Sequence, residues 1–173
     1  MRPDGHHGLM SGTERRHMVE RSGTEDGTLW RRGALRVHQV RGDGLEACFQ
    51  IRQVVFVQEQ RVEPALEFDG LDAGCVQVLA SLEGEPVGTG RLRMFAEQAK
   101  VERVAVLKAH RGTGVGRALM VALHEVARQR GVRQLMLHAQ ESAVPFYEGL
   151  AYLRQGERFM EADIPHFLMT RGL

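Results

Sequence analysis

The hydrophobic and polar positions of this chain fall into short segments whose patterns predict strands. Seven segments alternate in character or carry short apolar runs between turn residues. They are residues 34–38, 75–82, 87–94, 100–107 and 134–139, and two segments near Tyr152 and Phe167. The turn sequence Glu-Gly-Glu-Pro at residues 83–86 joins the second and third of these segments and predicts a hairpin.

A helical period appears most clearly after residue 114. Apolar residues recur there every three or four positions, which places them on one face of an amphipathic helix. They are Val115, Ala118, Leu119, Ala122, Leu123, Val126 and Ala127. Gly131 supplies the end of this helix. Helices are also predicted over residues 45–56 and 142–150, whereas residues 58–74 are expected to form an irregular connection.

The order of these elements predicts an α/β fold. The two strands around the amphipathic helix should run parallel, because a strand–helix–strand connection returns the chain in the same direction. The predicted hairpin adds antiparallel strands to the same sheet. We therefore expect a single domain with a mixed sheet of about six to seven strands covered by helices.

Residues 1–33 differ in composition from the rest of the chain. They are rich in glycine, arginine and acidic residues, and their apolar residues, which include Leu29 and Trp30, follow no period. Such a segment buries too little apolar surface to offset the entropy lost on ordering. We expect a flexible tail over residues 1–33 and a folded domain over residues 34–173.

Charge and composition argue against several classes of function. The 173 residues carry a formal net charge of +1, which indicates neither a nucleic-acid partner nor an anionic membrane. No apolar run reaches the roughly 18 residues of a membrane span, and no signal or transit segment is recognised. The expected location is therefore the cytoplasm. Cys48 and Cys75 lack the spacing of a zinc site or a disulfide framework, so both are expected in the core and no metal is predicted.

The glycine-rich sequence at residues 111–116 lies between a predicted strand and the amphipathic helix, where a helix start can bind an anion. A P-loop would need Lys and Ser or Thr after the glycines, but Arg117 and Ala118 follow Gly116. A dinucleotide fingerprint would need glycine at position 117. The pyrophosphate arm of coenzyme A and a plain strand–helix turn are the two interpretations that stay open.

The residues around this turn resemble the signature motif of the GNAT superfamily of acyl-CoA-dependent N-acetyltransferases. The pattern Arg-x-x-Gly-x-Gly follows Val-Ala-Val and precedes the helix, as in that family. Further likenesses are Phe-Tyr-Glu at residues 146–148, Val-Gly-Thr-Gly-Arg-Leu at 87–92, Val-Phe-Val-Gln-Glu-Gln at 55–60 and Ile-Pro-His at 164–166. The resemblance covers roughly residues 34–170. It implies a GNAT-like sheet and acetyl-CoA as the acyl-donor cosubstrate.

The resemblance also implies which residues bind the cofactor. The pantetheine arm would pair with the strand backbone at Val104, Ala105 and Val106. The pyrophosphate would take the turn and helix start, namely Arg111, Gly112, Thr113, Gly114, Val115, Gly116 and Arg117. Gln140 stands where the family often has an asparagine that contacts the cofactor.

Tyr147 matches the general acid of the family, and the chemistry calls for one. When an amine attacks the thioester, coenzyme A leaves as a thiolate that needs a proton, and a phenol can supply it. The identity of the base stays open among Glu102, His138, His166 and a chain of water molecules. Among the side chains, Glu102 is favoured first and His138 second.

The acceptor is expected to be a primary amine on a small molecule or a peptide, and the sequence does not identify it. The segments 58–74 and 155–166 are expected to face the acceptor. Five acids in the first segment, Glu59, Glu63, Glu67, Asp69 and Asp72, either favour a cationic acceptor or are simply solvated. A homodimer is left open. A non-catalytic acyl-CoA sensor or scaffold on the same fold is the alternative function.

Overall fold

Eight strands form one sheet in the computed structural model, which describes residues 27–173. In chain order they are β1 (Thr28–Arg32), β2 (Leu35–Val40), β3 (Val76–Leu82), β4 (Glu85–Phe95), β5 (Gln98–Val106), β6 (Gln134–Gln140), β7 (Leu153–Glu161) and β8 (Ile164–Gly172). Their order across the sheet is β1-β2-β3-β4-β5-β6-β8-β7. Neighbours are antiparallel except β5 and β6, which are parallel as predicted.

Four α-helices accompany the sheet within the described residues. They are α1 (Leu45–Arg52), α2 (Pro64–Glu67), α3 (Val115–Gln129) and α4 (Val144–Glu148). A π-helical segment, Gln53–Glu59, continues α1 without a break and extends the helix predicted over residues 45–56. The predicted mixed α/β sheet is confirmed, with one strand more than expected.

The additional strand is β1, which lies inside the segment predicted as a tail. It forms a tight hairpin with β2, in which Arg32 pairs with Leu35 and Gly33 adopts a φ of +59°. Leu29 and Trp30 pack against the core, so this part of the segment buries enough apolar surface to stay ordered. The predicted boundary at residue 33 is therefore too late. Residues 1–26 of the predicted tail lie outside the described residues.

The core lies on both faces of the sheet. Helix α3 covers one face, and all seven apolar positions predicted for it are buried. Helix α1 covers the opposite face, with Cys48 among its buried residues. Successive residues of β3, such as Val78 and Leu79, belong to the two opposite clusters. Cys75 lies just outside β3 and is only partly buried, so the prediction of a core position holds fully for Cys48 alone.

Helix α3 approaches β4 closely because two glycines face it. A Cβ on Gly90 would lie 2.9 Å from the Leu123 side chain, and one on Gly88 would lie 3.0 Å from that of Val115. These are the glycines of the Val-Gly-Thr-Gly-Arg-Leu sequence noted above. They set the depth at which α3, and with it the glycine-rich turn at its start, sits over the sheet.

The parallel pair β5–β6 opens part of the way along its length. The two strands pair only over Gln98–Val101 and Gln134–Leu137, although β5 continues to Val106 and β6 to Gln140. Just past the last pair, at Val101, a bulge in β5 shifts its register with β4 on the other edge, and Arg103 adopts a φ of +55°. The result is a gap in the middle of the sheet, which creates the candidate site.

Candidate active site

A cavity of about 420 Å³ occupies the opening between β5 and β6. Its walls include residues 101–104 of β5, Leu137, His138 and Gln140 of β6, and Tyr147 of α4. The segment 56–69 and the β7–β8 hairpin around residues 161–166 close its other side. Both segments that the sequence places at the acceptor therefore line this cavity.

The glycine-rich turn lies directly before α3 and has the backbone geometry that its glycines allow. Gly112 and Gly114 have φ values of +73° and +94°. The Thr113 hydroxyl donates to the His110 carbonyl at 2.6 Å, which braces the turn. The helical bonding begins with the Ala118 amide, which donates to the Gly114 carbonyl at 3.0 Å. The N–H groups of residues 115–117 therefore lack an intrahelical acceptor and are available to an anion.

Two of the predicted cofactor residues contact the end of the π-helical segment. The guanidinium of Arg111 makes a two-point ion pair with Glu59, with N–O distances of 2.6 and 2.9 Å. The Gln140 amide nitrogen donates to Gln60 Oε1 at 2.7 Å. In this state Arg111 is an ion-pair partner, so its charge is not free to face a phosphate.

The strand residues predicted to pair with pantetheine lie beyond the bulge. Ala105 is buried against the α1 face, whereas Val104 and Val106 pack towards the α3 face. Arg111 Nε donates to the Val106 carbonyl at 2.9 Å. No strand pairs with the β6-facing edge here within the described residues, since the β5–β6 ladder ends at Val101. This edge can therefore accept an extended ligand.

Tyr147 lies on α4 at the wall of the cavity. Its ring makes edge contacts with those of Phe146 and Tyr152, at centroid distances of 5.0 and 5.9 Å. Its hydroxyl forms no hydrogen bond with any of residues 27–173. Burial raises the pKa of Tyr147 to about 12, so the phenol is protonated across the neutral range. A free, protonated hydroxyl at the cavity wall can donate to a ligand.

The carboxylate of Glu102 is already surrounded by cations. Arg91 lies 2.8 Å from its Oε2, and Arg93 lies 2.9 Å from its Oε1. Lys100 approaches Oε1 to 3.3 Å. The side chain is only 6% exposed. Both oxygens thus accept from charged donors, which hold the carboxylate in an ion-pair cluster. Its role as a base stays a prediction.

A buried ion-pair network that the sequence analysis did not predict lies beneath the cavity. It consists of Arg52, Glu67, Asp69, Asp72, Arg91 and Arg103. Arg52 and Arg91 are fully buried. Arg52 donates to Glu67 at 2.6 Å and to Asp72 at 2.7 Å. Arg91 donates to both oxygens of Asp69, at 2.9 and 2.7 Å, and this pairing holds the pKa of that carboxyl well below its usual range.

The network revises the interpretation of the acidic segment. Glu67, Asp69 and Asp72 are bound to internal guanidinium groups, and the exposed Glu59 is bound to Arg111, so all four acids are engaged by arginines and are not free for a cationic acceptor. The sequence does carry a signal for it. Arg52 falls on the apolar face of α1 with Cys48 and Ile51, and a charge at a core position requires a buried partner.

Two histidines and a carboxylate cluster at the acceptor end of the cavity. His138 Nδ1 lies 3.3 Å from Glu161 and 3.4 Å from Lys100 Nζ. His166 Nε2 lies 3.8 Å from the other oxygen of Glu161, and its Nδ1 lies 2.7 Å from the Ile164 carbonyl. The hydrogen bond from His138 and the nearby charges lower the pKa of Glu161 to about 2. The carboxylate is therefore charged at neutral pH.

A second buried histidine site lies outside the cavity, beside Tyr147. Arg171 Nη1 lies 3.1 Å from His124 Nδ1, and His124 Nε2 lies 2.8 Å from the Tyr152 hydroxyl. Because arginine can only donate, Nδ1 accepts and the proton of neutral His124 must sit on Nε2. Burial, together with the charges of Arg171 and Arg128, lowers the pKa of His124 to about 4.

The His124 site predicts a loss of stability in mild acid. In the unfolded chain a histidine takes up a proton near pH 6.5, whereas folded His124 does so only near pH 4. The unfolding free energy should therefore fall as pH drops from about 6.5 to 4, by about 3 kcal/mol from this residue alone. Urea titrations across this range should show a shallower decline for His124→Gln than for the wild type. Parallel curves for the two proteins would contradict the prediction.

Neither a metal site nor a membrane span is found in residues 27–173. Within that range no group of three or more His, Cys, Asp or Glu side chains could hold a metal ion. None of its helices is both long enough and apolar enough to cross a membrane.

Comparisons with known proteins agree with the GNAT resemblance of the sequence. The sequence model of the acetyltransferase (GNAT) domain matches residues 55–173. YjcF of Bacillus subtilis (strain 168), an uncharacterised N-acetyltransferase, is 40% identical over 128 residues, which are 73% of this chain and 91% of YjcF. An acyl-CoA N-acyltransferase from Pseudomonas aeruginosa is 30% identical, with a TM-score of 0.69 over 79% of this chain and 97% of that one.

A more distant relative shares the fold alone. A GNAT acetyltransferase from Elizabethkingia anophelis, solved with acetyl-CoA bound, is 14% identical and superimposes with a TM-score of 0.65 over 82% of this chain and 100% of that one. The family match covers more than half of the chain. The chain therefore belongs to the GNAT acetyltransferases, and it is an acetyltransferase enzyme.

Proposed function

We propose that this enzyme transfers the acetyl group of acetyl-CoA to a primary amine inside the cavity between β5 and β6. The observation that carries the proposal is the opening of these two parallel strands beside a glycine-rich helix start, with Tyr147 unpaired at the wall. The free strand edge and the proton donor meet at the cavity, and the helix start lies next to them, where a Cβ on Gly116 would lie 3.4 Å from the Phe146 ring. Each of the three suits one part of the thioester substrate.

The cofactor fits the opening in a defined direction. Its pantetheine arm would add to the free edge of β5 at residues 104–106, as an extended chain adds to a sheet. Its pyrophosphate would bind the N–H groups between Gly112 and Arg117. Acetyl-CoA bound to the GNAT enzyme of Elizabethkingia anophelis supports this choice of cosubstrate. Arg111 and Gln140 would exchange their present partners for the cofactor.

The chemistry requires two proton transfers. The neutral amine attacks the carbonyl carbon of the thioester, the carbon–sulfur bond breaks, and the thiolate takes the phenolic proton of Tyr147. The incoming ammonium must first lose a proton, because only the neutral amine has a free electron pair. Glu102 and His138 line the same cavity and are the candidate bases named from the sequence.

The acceptor site would be formed by the segment 56–69 and the β7–β8 hairpin. Its acids are largely neutralised by arginines, so charge alone does not select a polycation. The apolar side chains of Phe56, Val62 and Leu66 line the wall opposite the hairpin residue Ile164. We expect shape and apolar contact to contribute to acceptor choice alongside the amine itself.

Ligand binding and turnover test this proposal separately. Acetyl-CoA at 100 times its Kd should stabilise the fold by about 2.7 kcal/mol, whereas NAD and ATP should give little shift in Tm at the same concentration. A panel of polyamines, aminoglycosides, amino acids and peptide N-termini should then include an amine that releases coenzyme A. A larger shift with NAD would contradict the cofactor assignment. Binding of acetyl-CoA without turnover of any amine would favour the non-catalytic sensor.

A further inference from the structure

His166 has one ring nitrogen fixed and the other facing the cavity. Its Nδ1 lies 2.7 Å from the Ile164 carbonyl, and a carbonyl oxygen can only accept, so Nδ1 carries a proton. In the neutral ring the lone pair must then lie on Nε2. The side chain is buried and lines the same cavity as Tyr147. A base held by a backbone carbonyl in a defined tautomer is the arrangement that proton abstraction requires.

We propose that His166 Nε2 is the general base that removes the proton from the acceptor amine. This inference rests on the proposed acetyl transfer and names the residue that prepares its nucleophile. Glu161 completes the site, because its Oε2 lies 3.8 Å from Nε2, close enough to pair with the imidazolium that forms when the base takes a proton. The base and its carboxylate come from the β7–β8 hairpin, on the acceptor side of the cavity.

The other two candidate bases, Glu102 and His138, are less able to take a proton from the amine because charged partners already occupy them. Both oxygens of Glu102 accept from cations, so protonating this carboxylate would break ion pairs with buried partners. His138 Nδ1 lies between the Lys100 ammonium and the Glu161 carboxylate and serves one or the other. An unprotonated Nδ1 accepts a hydrogen bond from the Lys100 ammonium, whereas a protonated Nδ1 donates one to the Glu161 carboxylate. His138 therefore acts through Glu161 as a positioning residue.

The proton balance closes with His166 and Tyr147 in separate roles. His166 Nε2 takes one proton from the ammonium, and the freed lone pair forms the carbon–nitrogen bond. The carbon–sulfur bond breaks, and the thiolate takes the Tyr147 proton. The second nitrogen-bound proton returns to the Tyr147 phenolate, and the proton on His166 passes to solvent. The products are the amide, the thiol of coenzyme A and one proton.

The tautomer of His166 can be measured without knowing the acceptor. Imidazole ¹⁵N shifts of the full chain, labelled at histidine, distinguish a protonated from an unprotonated ring nitrogen, and comparison with His166→Asn assigns the signals. We expect neutral His166 to carry its proton on Nδ1. A proton on Nε2 would overturn the proposal, whatever the enzyme acetylates.

The kinetic test uses the fastest amine of the panel. Asparagine can keep the hydrogen bond to the Ile164 carbonyl but has no basic nitrogen, so His166→Asn should lower kcat/KM for the amine by about 10²–10⁴-fold at pH 7. The loss should shrink as pH rises, because solvent then deprotonates the amine. A merely structural role would give a loss independent of pH and would overturn the proposal.

Two further measurements separate this inference from the proposed function. Acetyl-CoA affinity of His166→Asn should stay within a few-fold of the wild type, since the cofactor binds elsewhere. If the wild type does not bind acetyl-CoA, the proposed acetyl transfer itself is wrong, and not only the assignment of His166 as its base. In another outcome the wild type binds acetyl-CoA and turns over, while His138→Asn lowers kcat/KM for the amine more than His166→Asn does. In that case the base lies on β6 and the proposal is overturned.

Discussion

Replacing Tyr147 with phenylalanine is expected to lower kcat by about 10²-fold or more, the scale on which general acid catalysis operates. The substitution removes the hydroxyl, which has no partner in residues 27–173, and keeps the ring packed against Phe146 and Tyr152. Acetyl-CoA affinity should stay within a few-fold, because the proposed cofactor contacts are made by backbone groups of β5 and the turn. Steady-state kinetics with calorimetry would show kcat and kcat/KM falling together.

The chain provides a matched control, since its only other tyrosine is Tyr152. The Tyr152 hydroxyl contacts His124 at 2.8 Å and lies outside the cavity, so Tyr152→Phe should reduce stability and leave kcat near the wild-type value. Near-normal turnover by Tyr147→Phe would make Tyr147 a packing residue. Unfolding of Tyr147→Phe would assign the hydroxyl a structural role, because the substitution keeps the ring.

Introducing aspartate at Gly114 is expected to weaken acetyl-CoA binding by about 100-fold or more. A carboxylate at the start of α3 would occupy the position of a phosphate and repel the remaining negative charge. A Cβ built on Gly114 meets no atom within 4 Å, so the domain should stay folded. Calorimetric titration with acetyl-CoA, and circular dichroism to confirm the fold, measure the effect.

The Gly114→Asp variant needs a control side chain that matches aspartate in size but has no charge. Its φ of +94° is unfavourable for any side chain, so part of the effect could come from strain in the turn. Gly114→Asn has the same shape as Gly114→Asp, tolerates positive φ better than most residues, and carries no charge. We expect it to retain most of the affinity that Gly114→Asp loses. Equal losses in the two variants would assign the effect to backbone geometry.

Periodic segments were the predictable part of this fold. Helix α3 is recognisable because its apolar stripe persists for over three turns, and all of its predicted core positions are buried. Strand β1 was missed because Leu29 and Trp30 are adjacent, so they break the alternation expected of a strand. The hairpin around Gly33 also follows a long segment without a hydrophobic period. The predicted boundary between tail and domain was therefore placed after β1 instead of before it.

The site was predictable in its location and less so in its contacts. Tyr147 lines the cavity and the glycine-rich turn leads into α3, as their local motifs predict, while their roles stay predictions. The pairing of Glu59 with Arg111 joins residues 52 positions apart, and no local period encodes such a distance. The ion-pair network depends on the same kind of contact, which forms only when the sheet brings α1, the following segment and β4 together.

The ion-pair network also determines where acceptor preference can change by substitution. It pins the segment after α1 to the sheet through several mutually dependent contacts, so replacing one member leaves buried charges unpaired and is strongly destabilising. Leu66 joins the network only through its backbone carbonyl, which accepts from Arg103 at 3.0 Å, while its side chain is 57% exposed at the cavity rim. Every residue type has that carbonyl. The proposed acceptor site can therefore be altered by substitution at Leu66, and at Val62 in the cavity wall, without loss of the scaffold that holds the loop in place.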